Sequence, residues 1–349
     1  PQFLAMHYGK KAEELSSVIS SIPILISALA SRLTGIEIEA EVFHVDAYTA
    51  SALLVLLAAA YTFFGGMKSA GIGGMLKMGI IWVALFIAGW EAFQAVHETA
   101  AWSQFPAAQF SLFGRGTEPA LANLFSVLVG VLCTQTYIQC IFSADTPSTA
   151  SAGCFFAAAI VIPVGLPSVA VGLYMQTLYP DIQPIMVLPT YLINEVHPLL
   201  GGLAMGGIIL SLIGGIGGLT LGIGTMITRD MIVPLCRMTD DRKMLTVNKL
   251  TVLFVMLLAC FIAILNRGSE VLFWTYISMA LRGGGIFLPL TLAVFWPGHV
   301  KRGWAVLSML GSTAAALLTA TVVKLTIDPL FVGLIVSALL LLPGIRMKK

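Results

Sequence analysis

The stretch 200-LGGLAMGGIILSLIGGIGGLTLGIGTMIT-228 decides the class of fold, because 29 consecutive residues pass without a charge. As an α-helix it would be ~43 Å long at ~1.5 Å per residue, longer than the ~30 Å hydrocarbon core of a bilayer. Ten glycines fall between Gly201 and Gly224, and two small-residue stripes recur every fourth position: Gly214, Gly218, Gly222 and Gly207, Ser211, Gly215. Such stripes let helix backbones approach closely in lipid, which reads as packing unless something else points to a ligand. The rest of the chain agrees. Of its 349 residues 58% are hydrophobic and 10% charged, with a mean hydropathy of +0.94, against about 25% charged in soluble domains. A soluble domain, a disordered chain and a nucleic-acid binder are all excluded.

Working outward, apolar runs of span length read as ten helices: 12–34, 46–64, 72–98, 121–143, 149–176, 200–228, 246–266, 270–296, 303–324 and 328–345. In lipid they must be helical, since no water satisfies an open backbone, and the alternating polarity of a β-barrel is absent. The basic residues set the orientation. With the first loop cytoplasmic, 13 cations lie on one side (Lys10, Lys11, Lys68, Arg229, Arg237 and others, to Lys349) and four on the other (Arg32, Arg115, Arg267, Lys324). The opposite loop 35–46 holds Glu37, Glu39, Glu41 and Asp46, so both ends of this chain are expected in the cytoplasm of a cell whose plasma or inner membrane holds it. Lys77 and Arg282 fall inside spans. The longest loops, 99–120 and 177–199, face outside; the amphipathic piece Val187 to Val196 reads as an interfacial helix or a lid.

Chemistry concentrates in few places. Thr134, Gln135, Thr136, Tyr137 and Gln139 form a polar run in an apolar span, with Gly130 just upstream, where a helix can be interrupted. Polar groups at membrane depth face partners, a cavity or a solute path, and transporters build sites from broken helices. Arg282 lies 12 residues into its span, ~18 Å deep. Its charge is permanent, so it needs a partner or a wet cavity. Two readings stand: pairing with helix carbonyls or a carboxylate, or a bidentate clamp on an anionic solute. The following Gly283-Gly284-Gly285 would let the helix bend there. Pro163, Pro167 and Pro289 invite kinks. No catalytic triad, GxSxG, HExxH or phosphate loop occurs, and the five cysteines have neither CxxC nor metal-ligand spacing. An enzyme is not expected.

In order along the chain, Pro1-Gln2-Phe3-Leu4 with His7-Tyr8-Gly9-Lys10-Lys11, Tyr61 to Ser69, Gln135-Thr136-Tyr137-Ile138-Gln139, Leu219 to Asp230, and Phe287-Leu288-Pro289 with Phe295-Trp296-Pro297 resemble five motifs of the sodium:solute symporter family. The resemblance implies an all-α polytopic protein of the LeuT-type fold, a five-plus-five inverted-repeat core with alternating access. Residues 1–349 would then be one partial transporter domain, core helices three to ten plus two peripheral ones, with three helices preceding it. It also implies symport of a small organic solute with sodium and no other cofactor, while the residues themselves point to a substrate site at Thr134, Gln135, Thr136, Tyr137, Gln139 and Arg282.

The departures from the family concern the ion. Aligned through Thr228-Arg229-Asp230, the hydroxyl positions that hold sodium in the family are Gly214, Gly215 and Gly218 here. An acidic position in the helix after the Gly-Gly turn is Gly74, and Lys77 stands one turn on. Lys77 starts about 5 residues into its span, ~8 Å deep, where its stem either snorkels to the interface or carries an ammonium toward the vacated ion site. Three functions compete: sodium symport, sodium-independent transport (proton-coupled or by exchange) on the same fold, and a non-transporting sensor or inactive relative.

Overall fold

The computed structural model describes residues 1–99, 101–114, 116–267, 269, 271–323 and 327–345; the side chains of 65–72, 101 and 136 lie outside this set. Regular structure in the described residues is helical, apart from one antiparallel bridge between Val300 and Ile345. In order come α1 (Gln2–Tyr8), α2 (Lys10–Phe43), α3 (Ala47–Glu98), α4 (Thr117–Leu132), α5 (Gln135–Phe142), α6 (Pro147–Leu178), α7 (Val187–Asn194) and α8 (Pro198–Met226). A π-turn, Ile227–Ile232, leads to α9 (Val233–Cys236), α10 (Asp241–Leu265), α11 (Val271–Phe295), α12 (Arg302–Leu318) and α13 (Pro329–Leu341). The boundaries have local causes. Asp46 caps α3 by accepting from the Tyr48 and Thr49 amides, Thr146 caps α6 ahead of Pro147, and Asp328 caps α13 ahead of Pro329. Gly9 turns the chain between α1 and α2 at φ 89°, a conformation open to glycine.

Among the described residues eight helices are long and apolar enough to cross a membrane, with three shorter apolar ones at Thr117–Leu132, Pro184–Asn194 and Pro329–Gly344. The protein is therefore an all-helical, multi-pass membrane protein, as expected, but several spans differ in detail: the predicted spans 46–64 and 72–98 run together as the single helix α3. The predicted span 121–143 is two helices, α4 and α5. The first span does not end at 34: α2 runs on to Phe43, so the supposed acidic loop is mostly helix. Leu33, Ile36 and Ile38 are buried among the acidic letters, and Gly35 lies against the Leu54 side chain. Arg32 and Glu39, assigned to the outer surface by hydropathy, are both 0% exposed.

The chain divides into two compact units. Unit 1 comprises Pro1–Ser31, Arg115–Cys140 and Gly218–Lys349. Its core joins Leu4, Tyr8 and Ile19 to Ile286, Ala305 and Met309. The Tyr8 hydroxyl donates to the Pro289 carbonyl at 3.0 Å, and Ser308 and Ser337 join α12 to α13 through their hydroxyls at 2.8 Å, polar glue of the kind lipid favours. Gly283 and Gly284 serve close packing rather than a bend. A Cβ at 283 would meet Val129 at 2.7 Å, one at 284 would meet the Gly333 backbone at 3.3 Å, and α11 stays continuous through both.

Unit 2 comprises Arg32–Gly114 and Ile141–Gly217. Ala84, Ala88 and Ala92, one turn apart on α3, pack with Val171 and Met175 of α6 and with Tyr191 and Leu192 of α7. The amphipathic piece 187–196 is thus docked on this core, with the Tyr191 hydroxyl donating to the Ala88 carbonyl at 2.8 Å.

Candidate functional site

In unit 1 the polar run sits where α4 stops. Thr134 turns its hydroxyl back onto the Gly130 carbonyl at 2.7 Å, and the Thr134 amide tightens to Val131 at 3.0 Å before α5 restarts at Gln135. A side chain that competes for helix carbonyls breaks the ladder at this point. Gly130 also lets α4 approach α11, since a Cβ there would meet that of Met279 at 2.6 Å. Thr134 is buried, Gln135 and Gln139 are half-buried, and Tyr137 is exposed. The Thr136 side chain lies outside the described residues.

Arg282 stands behind this break, 2% exposed. Its Nη1 donates to Thr134 Oγ1 at 2.7 Å, its Nη2 to Ser27 Oγ at 2.9 Å and Ser278 Oγ at 3.0 Å, and its Nε to the Ser278 carbonyl at 3.2 Å. Those hydroxyls in turn spend their protons on oxygen: Thr134 on Gly130, and Ser278 on the Pro23 carbonyl of α2. The guanidinium is therefore solvated by helix carbonyls, directly or through one hydroxyl, beside the C-terminal end of α4, where the helix dipole is negative. With four bonds of a possible five already made to protein, little of the fork is left for a bidentate clamp. The arrangement favours the first of the two readings, pairing with carbonyls. Sequence reasoning missed Ser27 and Ser278. Ser278 had a signal, one turn before Arg282, whereas Ser27 had none.

In unit 2 the glycine face of α8 lies on α3. A Cβ at Gly207 would meet Ile81 at 2.8 Å, one at Gly217 would meet Thr62 Oγ1 at 2.6 Å, and one at Gly214 would meet Lys77 Nζ at 2.9 Å with the Tyr61 hydroxyl at 3.7 Å. The half-buried Lys77 thus points its ammonium at the bare backbone of Gly214. Around Gly215 and Gly218 an added Cβ would meet nothing within 4 Å. Gly218 belongs to unit 1, so the structure brings Lys77 together with Gly214 alone of the three glycines.

Apolar helices of span length, with a shorter one broken at a polar run, define a multi-pass membrane protein. The comparisons give its family. The description "Sodium:solute symporter family" matches residues 1–311, and the chain belongs to that family. Among solved structures it is similar to a Na+-coupled sialic acid symporter in a substrate-bound, outward-open state, with TM-score 0.75 and 18% identity over 99% of this chain and 75% of that one. None of the curated proteins compared with it matches.

Proposed function

We propose that this protein is a secondary-active transporter of a small organic solute whose coupling does not run through sodium at the glycine positions of α8. The Lys77 ammonium stands there in sodium's place. The observation that carries this reading is the 2.9 Å between Lys77 Nζ and the point where a side chain at 214 would begin. A sodium ion needs several hard oxygen ligands, while Gly214, Gly215 and Gly218 offer no side-chain oxygen, and an ammonium nearby repels a second cation. The reading puts the solute site at the break between α4 and α5, with Gln135, Tyr137 and Gln139 as neutral partners. Arg282 shapes that break from behind through Thr134. No carboxylate is among its hydrogen-bond partners, so its charge favours an anionic solute by field rather than by a clamp.

The test is uptake of labelled neutral and anionic solutes into proteoliposomes at fixed pH and voltage, in sodium and in choline buffer. Uptake is expected to be the same in both, and Lys77→Gln is expected to impair it. A steep rise with sodium, or normal transport by Lys77→Gln, overturns the reading.

A further inference from the structure

Glu39 is the one carboxyl group buried among the described residues. It is 0% exposed, and neither of its oxygens has a hydrogen-bond partner there. It lies near the C-terminal end of α2, and its neighbour Ile38 packs into the unit 2 core of α3, α6, α7 and α8. No group of those elements donates a hydrogen bond to it. Arg32, two turns back on α2, donates no hydrogen bond to Glu39, and Lys77 on α3 lies against Gly214. Glu37 and Glu41 on α2 and Glu91 on α3 would only oppose it. Tyr174 of α6 offers no positive charge, and the Tyr191 hydroxyl of α7 is committed to the Ala88 carbonyl. Residues 198–217 of α8 carry no charged or titratable group. The helix end adds its own negative dipole. A carboxylate enclosed without a hydrogen-bond partner is far costlier than a neutral carboxyl.

We infer that Glu39 is a proton-binding site of the transport cycle. Enclosed, it holds its proton. When this end of unit 2 admits water, the O–H bond breaks heterolytically, the proton passes to water and the carboxylate stays behind hydrated; closure requires the proton back. Proton binding and opening are thereby linked, and only the closed form excludes the charge. The inference rests on the sodium-independent reading only where it makes the proton a coupling ion, because the proton site itself is testable without a solute.

The experiment is infrared spectroscopy of the full chain in lipid at neutral pH, with glutamate isotopically labelled at its side-chain carboxyl. The expected result is a protonated-carboxyl C=O band that shifts with the label and is lost in Glu39→Gln, while Glu41→Gln leaves it intact. If labelled wild-type protein shows no such band, the inference is overturned without recourse to a variant. It is equally overturned if the band persists at full intensity in folded Glu39→Gln. Sodium-driven uptake would remove the Lys77 reading and leave this band in place, so the two failures are distinct.

Discussion

Replacing Thr134 by Val takes away the acceptor of Arg282 Nη1 and leaves a charged donor buried at 2% exposure. An interhelical hydrogen bond in a membrane protein contributes ~0.6 kcal/mol on average by double-mutant cycles, and charge-assisted bonds are roughly twice as strong as neutral ones. The Arg282–Thr134 pair should therefore show a coupling of about 1–2 kcal/mol. Thr134→Val alone should cost ~1.5–3 kcal/mol, since the donor loses its partner while remaining enclosed. In an Arg282→Gln background the same change should cost less, by the coupling. The assay is equilibrium unfolding in mixed micelles of mild detergent and dodecyl sulfate for wild type, both single variants and the double variant. Additivity within ~0.5 kcal/mol would mean that the 2.7 Å contact does not hold the break between α4 and α5 in place, and the account of Arg282 would fail.

Three further outcomes follow from the packing and caps. Gly214→Ala should be nearly neutral in the same unfolding assay, because the Lys77 terminus can swing aside, whereas Gly217→Ala should cost ~1–3 kcal/mol because the Thr62 hydroxyl it meets is bonded to Ala58 at 2.7 Å; the reverse ranking refutes this contact surface. The hydrogen bond from the Thr49 side chain, then that from its amide, holds the Asp46 carboxyl below its ordinary 3.8. Its stabilising share is present above that value and is lost as pH falls through the lower folded value, so melting curves of Asp46→Asn should be less acid-sensitive than wild type; equal acid sensitivity counts against the cap. In a background lacking the exposed Cys140, Cys154 and Cys236, cysteines at the exposed positions Glu41 and Asp241 should be labelled from opposite sides of the membrane, and same-side labelling would refute the orientation drawn from 13 against four basic residues.

Particular residues show what the sequence made legible. Charge-free stretches such as 200–228 announced membrane helices, because lipid permits little else. Gly130 followed by a polar run announced the break before Gln135, since both features weaken a helix ladder at one place. The continuation of α2 to Phe43 was not legible. Window hydropathy averages over all sides of a helix, so Glu37, Glu39 and Glu41 masked the buried positions Ile36 and Ile38 between them. One partner of Arg282 was hidden for another reason: Ser27 is 255 residues away in sequence, and only the fold closes that distance. Gly283 to Gly285 illustrate how one composition admits two uses, bending or close approach, and the neighbours Val129 and Gly333 decide for approach.

On the proposed reading the Lys77 ammonium, not a sodium ion, occupies the face of α8 at Gly214. The most direct measurement is the melting temperature of the purified protein in sodium chloride and in choline chloride at equal ionic strength, across a sodium titration. A ligand that binds the folded state stabilises it by RT ln(1 + [L]/Kd), ~2.7 kcal/mol at a hundredfold excess over Kd. The account predicts that the sodium and choline curves coincide at every concentration. A saturable stabilisation specific to sodium would contradict it.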